Sequence, residues 1–228
     1  MRCLGLVELR PYHSNHCFRD ALQREFQRRS GCGSTAPLVS ITGGFGAHPT
    51  RPKSSTFAED LHDCIHRLRL AGANGVTLDC PDWFQYADDI VREGAYPLLD
   101  PLDALIEEFA WRRISPPATI GLLEPCETIS NRLRLLGYQT IEGVAPRISS
   151  IAPHTVRRLL QEAARELSSR GADAILIPAS LSGAVPERTI EELGILDLTA
   201  LHAEACVRWM LQEEYSQYGV QFAEHKRW

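Results

Sequence analysis

The sequence predicts an α/β fold of two pseudo-symmetric lobes. Each lobe is expected to be a parallel-type sheet flanked by helices, with a cleft between the lobes. Short apolar runs of strand length alternate with longer amphipathic ones, the pattern of parallel sheets with crossover helices. The series restarts after Pro116-Pro117, and the second series echoes the first. The composition, 44% apolar and 23% charged, is that of a globular protein able to bury a substantial core.

The elements are expected in order. "CLGLVEL" (3–9) is a short apolar run before a turn-forming proline, hence a strand. "CFRDALQREFQRR" (17–29) sets Phe18, Ala21, Leu22 and Phe26 at helical spacing, and Gly31 and Gly33 end it. "APLVSIT" (36–42) is a second strand, followed by a Gly- and Pro-rich loop over 43–55 that lacks the Lys-Ser/Thr of a phosphate loop. "FAEDLHDCIHRLRLAG" (57–72) carries Leu61, Ile65 and Leu68 on one face and stops at Gly72. "GVTLDC" and "YPLLD" (96–100) are further strands, and "LDALIEEFAWRR" (102–113) a helix.

In the restart, "ATIGLLE" (118–124) echoes "RCLGLVE", and the helix "HTVRRLLQEAARELSSRG" echoes 57–72. "ADAILIPAS" echoes "ANGVTLDC", and "GILDLTALHAEACVRWML" echoes "YPLLDPLDALIEEFAW". The offsets are 116 residues at the first strands, 99 at the third and 97 at the last, a duplication with loops of drifting length. Lobe 1 is expected to take residues 1–115 with 194–228, and lobe 2 residues 116–193.

Several function classes are excluded. The formal charge is -5, and the basic residues are scattered beside acids, which does not suit nucleic acid. No apolar stretch approaches the ~20 residues that span a bilayer, so no membrane is expected. The N-terminus lacks the pattern of a signal peptide. The seven cysteines are odd in number and lack Cys-x-x-Cys spacing, so they read as reduced thiols of a cytoplasmic protein. "HSNHC" (13–17) sets two histidines beside a cysteine, but without further ligands no metal site is expected.

Ligands of such sheets gather outside the carboxyl ends of the strands. The residues there are Glu8, the 43–55 loop, Cys80-Pro81-Asp82, Glu124 to Thr128, and Ala179-Ser180-Leu181. Glu8, Asp82, Glu124 and Glu127 would put four acids around one cleft. They would repel a dicarboxylate and raise one another's pKa. They suit a cationic or neutral ligand, or carboxyl groups used as acid and base. Arg10, His13, Arg51 and Lys53 could balance some of that charge.

The Gly-Ala-acid/amide opening, apolar run and Cys of "GANGVTLDC", a similar pattern about a hundred residues later in "GADAILIPAS", and "ILDLTALHAEACV" near the end resemble the aspartate/glutamate racemase superfamily. Its members include aspartate, glutamate and hydantoin racemases, maleate isomerase and arylmalonate decarboxylase. The resemblance covers nearly the whole chain. It implies proton transfer next to a carboxylate or carbonyl without pyridoxal phosphate or any other cofactor, on a small-molecule substrate. A homodimer is implied on the same ground. In the family, one cysteine per lobe serves as thiolate base or thiol acid, and donors around the substrate carboxylate steady the carbanion.

This chain departs from that pattern. Cys80 holds the first-lobe position, but Pro81-Asp82 replaces Asn-Thr, and Phe84 stands where a histidine is usual. In the second lobe Cys-Thr-Glu becomes Ala179-Ser180-Leu181, and Ala179 moves no proton. Glu8-Leu9-Arg10 replaces a Gly-Gly-Met-type turn. Glu124-Pro125-Cys126-Glu127 replaces small and hydroxyl residues, with Thr128 kept.

A symmetric two-thiol racemase is therefore not expected. The resemblance implies a single-thiol isomerase or lyase. Cys80 would be the acid/base, Glu8 or Glu124 its partner, and Arg51, Asp82, Thr128 and Ser180 the substrate-binding set. Two other classes stay open: a non-catalytic small-molecule-binding descendant, and a biosynthetic enzyme of different chemistry using Glu8 and Glu124. Simpler readings also stand. Cys80 would be a structural thiol, the glutamates solvated loop acids, Ser180 a helix cap, and Trp83, Phe84 and Tyr86 a packing patch.

Overall fold

The computed structural model describes residues 1–9, 15–43, 54–79, 96–143, 153–177 and 187–213. The first half runs β1 (Leu4–Leu9), α1 (Asn15–Ser30), β2 (Leu38–Gly43), α2 (Ser54–Leu70), β3 (Gly75–Leu78) and α3 (Pro101–Trp111). The second runs β4 (Thr119–Leu122), α4 (Glu127–Leu135), β5 (Gln139–Glu142), α5 (Pro153–Ser169), β6 (Ala174–Ile177), α6 (Glu187–Leu193), β7 (Leu196–Asp197) and α7 (Leu198–Leu211).

The strands form two parallel sheets, ordered β2-β1-β3 and β5-β4-β6-β7. Parallel neighbours need crossover connections, and the intervening helices supply them. The expected strand at 96–100 is reduced to one parallel bridge, Val76 to Leu98. It occupies the place that β7 holds beside β6. Pro97, which has no amide hydrogen, accepts from Val76 N instead (2.8 Å).

The helices form because their apolar residues recur on one face. Phe18, Leu22 and Phe26 of α1 are buried, as are Leu61, Ile65 and Leu68 of α2. The turn after α2 needs positive φ at Gly72 (94°), and the turn after α5 needs it at Gly171 (91°). Asp100 caps α3 by accepting from Leu102 N (2.8 Å), and Asp197 caps α7 by accepting from Thr199 N (2.8 Å) and Ala200 N (3.2 Å).

The duplication holds at the level of single atoms. A Cβ at Gly5 would lie 3.1 Å from Ala73 Cβ and 3.2 Å from Leu68 Cδ1. At Gly121 the same atoms of Ala172 and Leu167 lie at the same 3.1 and 3.2 Å. Both central strands thus need glycine where a helix end crosses them closely. Cys3 N donates to Asn74 Oδ1 (2.8 Å) and Asn74 N returns a bond to Cys3 O (2.8 Å). Thr119 and Asp173 repeat the exchange at 2.7 and 2.8 Å.

The last helix of each half packs on the other half's sheet. Leu102, Leu105 and Phe109 of α3 join the core of β4, β6, β7 and α4. Ala203, Cys206, Val207, Trp209 and Met210 of α7 join the core of β1 and α1. Where the two helices meet, Arg208 donates to Glu107 through both terminal nitrogens, at 2.6 and 3.1 Å. Among the described residues no helix is long and apolar enough to cross a membrane.

Candidate functional site

The candidate site begins where the strands of the two sheets end. On β1, the alternation of a strand turns Leu4 and Leu6 toward α1 and α7, and Val7 toward α2. Glu8 therefore returns to the α1 side. Its Oε1 is ion-paired with Arg19 Nε, and its side chain is only 12% exposed. Thr42 Oγ1, from the register partner of Glu8 on β2, donates to Oε2 at 3.4 Å. Arg19 also reaches Ser40 Oγ on β2. Glu8 is thus no solvated loop acid. It is a half-buried strand carboxylate tied to α1 and β2.

β3 lies beside β1 with Leu78 opposite Val7, so the chain leaving β3 enters the same sheet end as Glu8. Asp79 is buried (8% exposed), and its amide donates to the Val7 carbonyl at 3.2 Å.

In the second half, β4 leads to Leu123, whose amide donates to the Leu176 carbonyl (3.0 Å), and then to Glu124, which is half-buried. Glu124 follows the last residue of β4 by two positions, whereas Glu8 lies within β1, next to its last residue. Glu127 and Thr128, expected in a loop, are already in the first turn of α4. Cys126 is the N-cap residue of that helix, extended at φ -138° and ψ 96°, and its side chain makes no capping bond. Thr128 is half-buried.

Cys80, Asp82, Arg51 and Ser180 lie outside the described residues. So do Ala179, the aromatic set Trp83, Phe84 and Tyr86, and the side chains of His13 and His16. Among the described residues no three His, Cys, Asp or Glu side chains come together as a metal site.

The six described cysteines are free thiols. Burial pushes the Cys206 thiol far up. Burial also raises Cys64, with nearby Asp63 adding to it, and raises Cys3 against a hydrogen bond from the Val39 backbone. These three are poor thiolates at neutral pH.

Three residues that matter here were absent from the expected site set: Arg19, Asp79 and His202. Arg19 precedes no recognisable motif. His202 carries a sequence signal, since it is four residues from both Leu198 and Cys206 and so shares their buried face.

This architecture is shared with solved structures. A Yersinia pestis protein assigned as an Asp/Glu racemase superposes with a TM-score of 0.71 at 20% identity, over 93% of this chain and 100% of that one. An aspartate racemase homologue from Pyrococcus horikoshii gives 0.66 at 16% identity, over 93% and 98%. A cysteine-to-serine mutant of Nocardia farcinica maleate cis-trans isomerase, with a covalently bound succinylcysteine intermediate, gives 0.58 at 17% identity over 91% of each chain. No protein-family model and no curated protein matches the chain. The likeness is one of fold: the chain has the architecture of the aspartate/glutamate racemase superfamily.

Proposed function

We propose that this chain is a cofactor-independent isomerase or lyase, moving a proton next to a carboxylate or carbonyl with Cys80 as its single thiol acid/base. The observation that carries the reading is the pairing of β3 with β1. β3 ends beside the strand that carries Glu8, and in the sequence Cys80 follows β3 by two residues. Ligands of open parallel sheets gather at such ends. The maleate isomerase of the same fold, with its succinylcysteine, supports a cysteine as the reacting group.

The chemistry would run as follows. The Cys80 thiolate takes a proton from the carbon next to the substrate carboxylate or carbonyl. Arg51 holds the carboxylate, and Thr128, Ser180 and Asp82 orient the substrate. The proton then returns from Cys80 to the same face, or from a second acid to the opposite face. Ala179 removes the usual second thiol, which leaves Glu124 as the acid of the second half. Glu8, held by Arg19 and Thr42, serves better as a fixed charge than as a proton carrier. A cytoplasmic homodimer is part of the same reading.

The test is the pH dependence of alkylation at Cys80, mapped by mass spectrometry against the other cysteines, followed by deuterium exchange into small carboxylic and amino acids. Cys80 is expected to react with an apparent pKa below the free-thiol value of about 8.5. Cys80→Ala is expected to abolish exchange, and Glu124→Gln to reduce it by about 10²–10⁴-fold, the usual worth of a general acid. A Cys80 that reacts no faster than buried Cys206, in a protein that still binds small carboxylates, replaces the enzyme reading with a binding one.

A further inference from the structure

The first-sheet core holds a polar cluster. Thr77 of β3 and His202 of α7 are both buried. Thr77 Oγ1 lies 2.8 Å from His202 Nε2 and 2.9 Å from the Leu99 carbonyl oxygen, and Nε2 lies 3.0 Å from that same oxygen. A carbonyl can only accept, and a threonine hydroxyl has one proton. The set closes only when the hydroxyl donates to Leu99 and Nε2 carries its hydrogen, shared between Thr77 Oγ1 and Leu99. The ring rests against Phe18 of α1, with centroids 4.7 Å apart. Burial keeps the imidazole neutral, its pKa lowered to about 4, against the opposing pull of the Leu99 carbonyl and the Asp100 charge.

The duplicated positions in the other half are apolar. By the offsets of 99 and 97 residues, Thr77 corresponds to Leu176 and His202 to Leu105. Both leucines are buried in the second core. The half with the hydrogen-bonded pair is the half that keeps a cysteine after its third strand, Cys80, where the other has Ala179. The cluster also joins three parts of the chain that must stay in register: the end of β3, the last residue before the Asp100 cap, and the helix returning from the second half. Apolar side chains can slide past one another at little cost. A shift of His202 would leave buried polar atoms unpaired.

We infer that His202 is a positioning residue that clamps the end of β3 to the crossover at Leu99 and so sets the reactivity of Cys80, which follows β3. The part concerning Cys80 rests on the thiol reading proposed above.

The test uses the full chain and two variants. His202→Gln places an amide nitrogen near the position of Nε2, and His202→Leu copies the second half. Two readouts are taken. One is the pH profile of Cys80 alkylation. The other is hydrogen exchange at Leu99 and Val76, whose amides donate at 2.8 Å to Val76 and Pro97 and tie the crossover to β3. Exchange at both amides is expected to quicken about fivefold in His202→Leu, the factor that loss of one ordinary hydrogen bond supports. The Leu123 and Asp173 amides of the second half should hold their rates. The Cys80 profile is expected to move by a similar factor, and His202→Gln to restore both.

Unchanged exchange at Leu99 and Val76, or a glutamine variant no better than leucine, overturns the clamp. So does an unmoved profile of a Cys80 that is reactive in the parent protein. If Cys80 is inert in the parent but exchange responds and recovers as expected, the clamp stands and the thiol reading falls. Should His202→Leu fail to fold, Thr77→Val and Thr77→Ser make the same comparison from the other side of the bond.

Discussion

β3 and β6 are the same strand made twice, yet their first residues differ, Gly75 in one and Ala174 in the other. The reason lies in the helix over each. α7 lays Trp209 on β3, so that a Cβ at Gly75 would come within 2.7 Å of the indole ring and 3.1 Å of the Pro97 carbonyl. The residue matching Trp209 is Arg112, just past the end of α3, an exposed side chain bonded to Glu108 at 2.5 Å, and β6 has room for alanine. Where the end of a helix crosses the central strand, as at Gly5 and Gly121, the halves stayed alike, down to the leucine and alanine that press on each glycine. Where side chains fill the space between helix and sheet, they diverged together, in matched sets.

The comparison can be strained at three points. The largest effect is expected at His202, where the other half has leucine. Its pKa falls from about 6.5 in an unfolded chain to about 4 in the native one. Below pH 6.5 the unfolded state binds a proton that the folded state refuses, so stability falls as pH drops and levels off below about 4. The loss attributable to this group is about 3 kcal/mol. Urea melts at pH 7 and pH 4 should show it, and His202→Leu should lack that part of the slope.

Next comes Gly75→Ala, which makes β3 copy β6. It is expected to cost about 2 kcal/mol through overpacking against Trp209, while Ala174→Gly costs about 1 kcal/mol through chain entropy and lost contact. Equal losses in urea melts would mean that the two helix-sheet interfaces are more alike than their side chains.

The smallest effects are expected at the two caps. Asp197→Ala should cost about 1 kcal/mol. Asp100→Ala should cost more, because Asp100 also pairs with Arg132, whose Nη1 lies 3.1 Å away and would lose its partner. Asp100→Asn, which keeps the cap and drops the charge, separates the two contributions in thermal melts.

Much of this frame was legible because it depends on local pattern. The apolar runs at 3–9 and 118–124 and the four-residue spacing of Phe18, Leu22 and Phe26 declare their elements directly. α4 and β5 were not anticipated. "ETISNRLRL" mixes its charges among three buried positions, and "QTIE" buries no side chain fully, being an edge strand. α6 was missed too, at seven residues with three acids and an arginine. The strand expected at 96–100 shrank to one bridge because Pro97 interrupts the ladder.

The site was less legible than the frame. Matching of Glu8 with Glu124 followed from the repeat. The hold of Arg19 on Glu8 did not, since it depends on which way an exposed-looking arginine turns from α1 toward a strand. Thr77 and His202 meet across 125 residues of chain, a contact no local pattern announces.

The crossing of α3 and α7 also bears on how the chain is assembled. A fragment ending at 115 would carry a helix with no sheet to cover and a sheet missing one of its helices. A fragment starting at 116 would have the converse need. Neither is a self-sufficient folding unit, and the two expressed together should recombine where each alone aggregates. Contacts between β1 and α7 join the first strand to a helix that follows the strands of both sheets, so they close late in folding. Two identical copies of one half could satisfy each other by trading their last helices, and this chain has the form of such a swapped pair joined end to end.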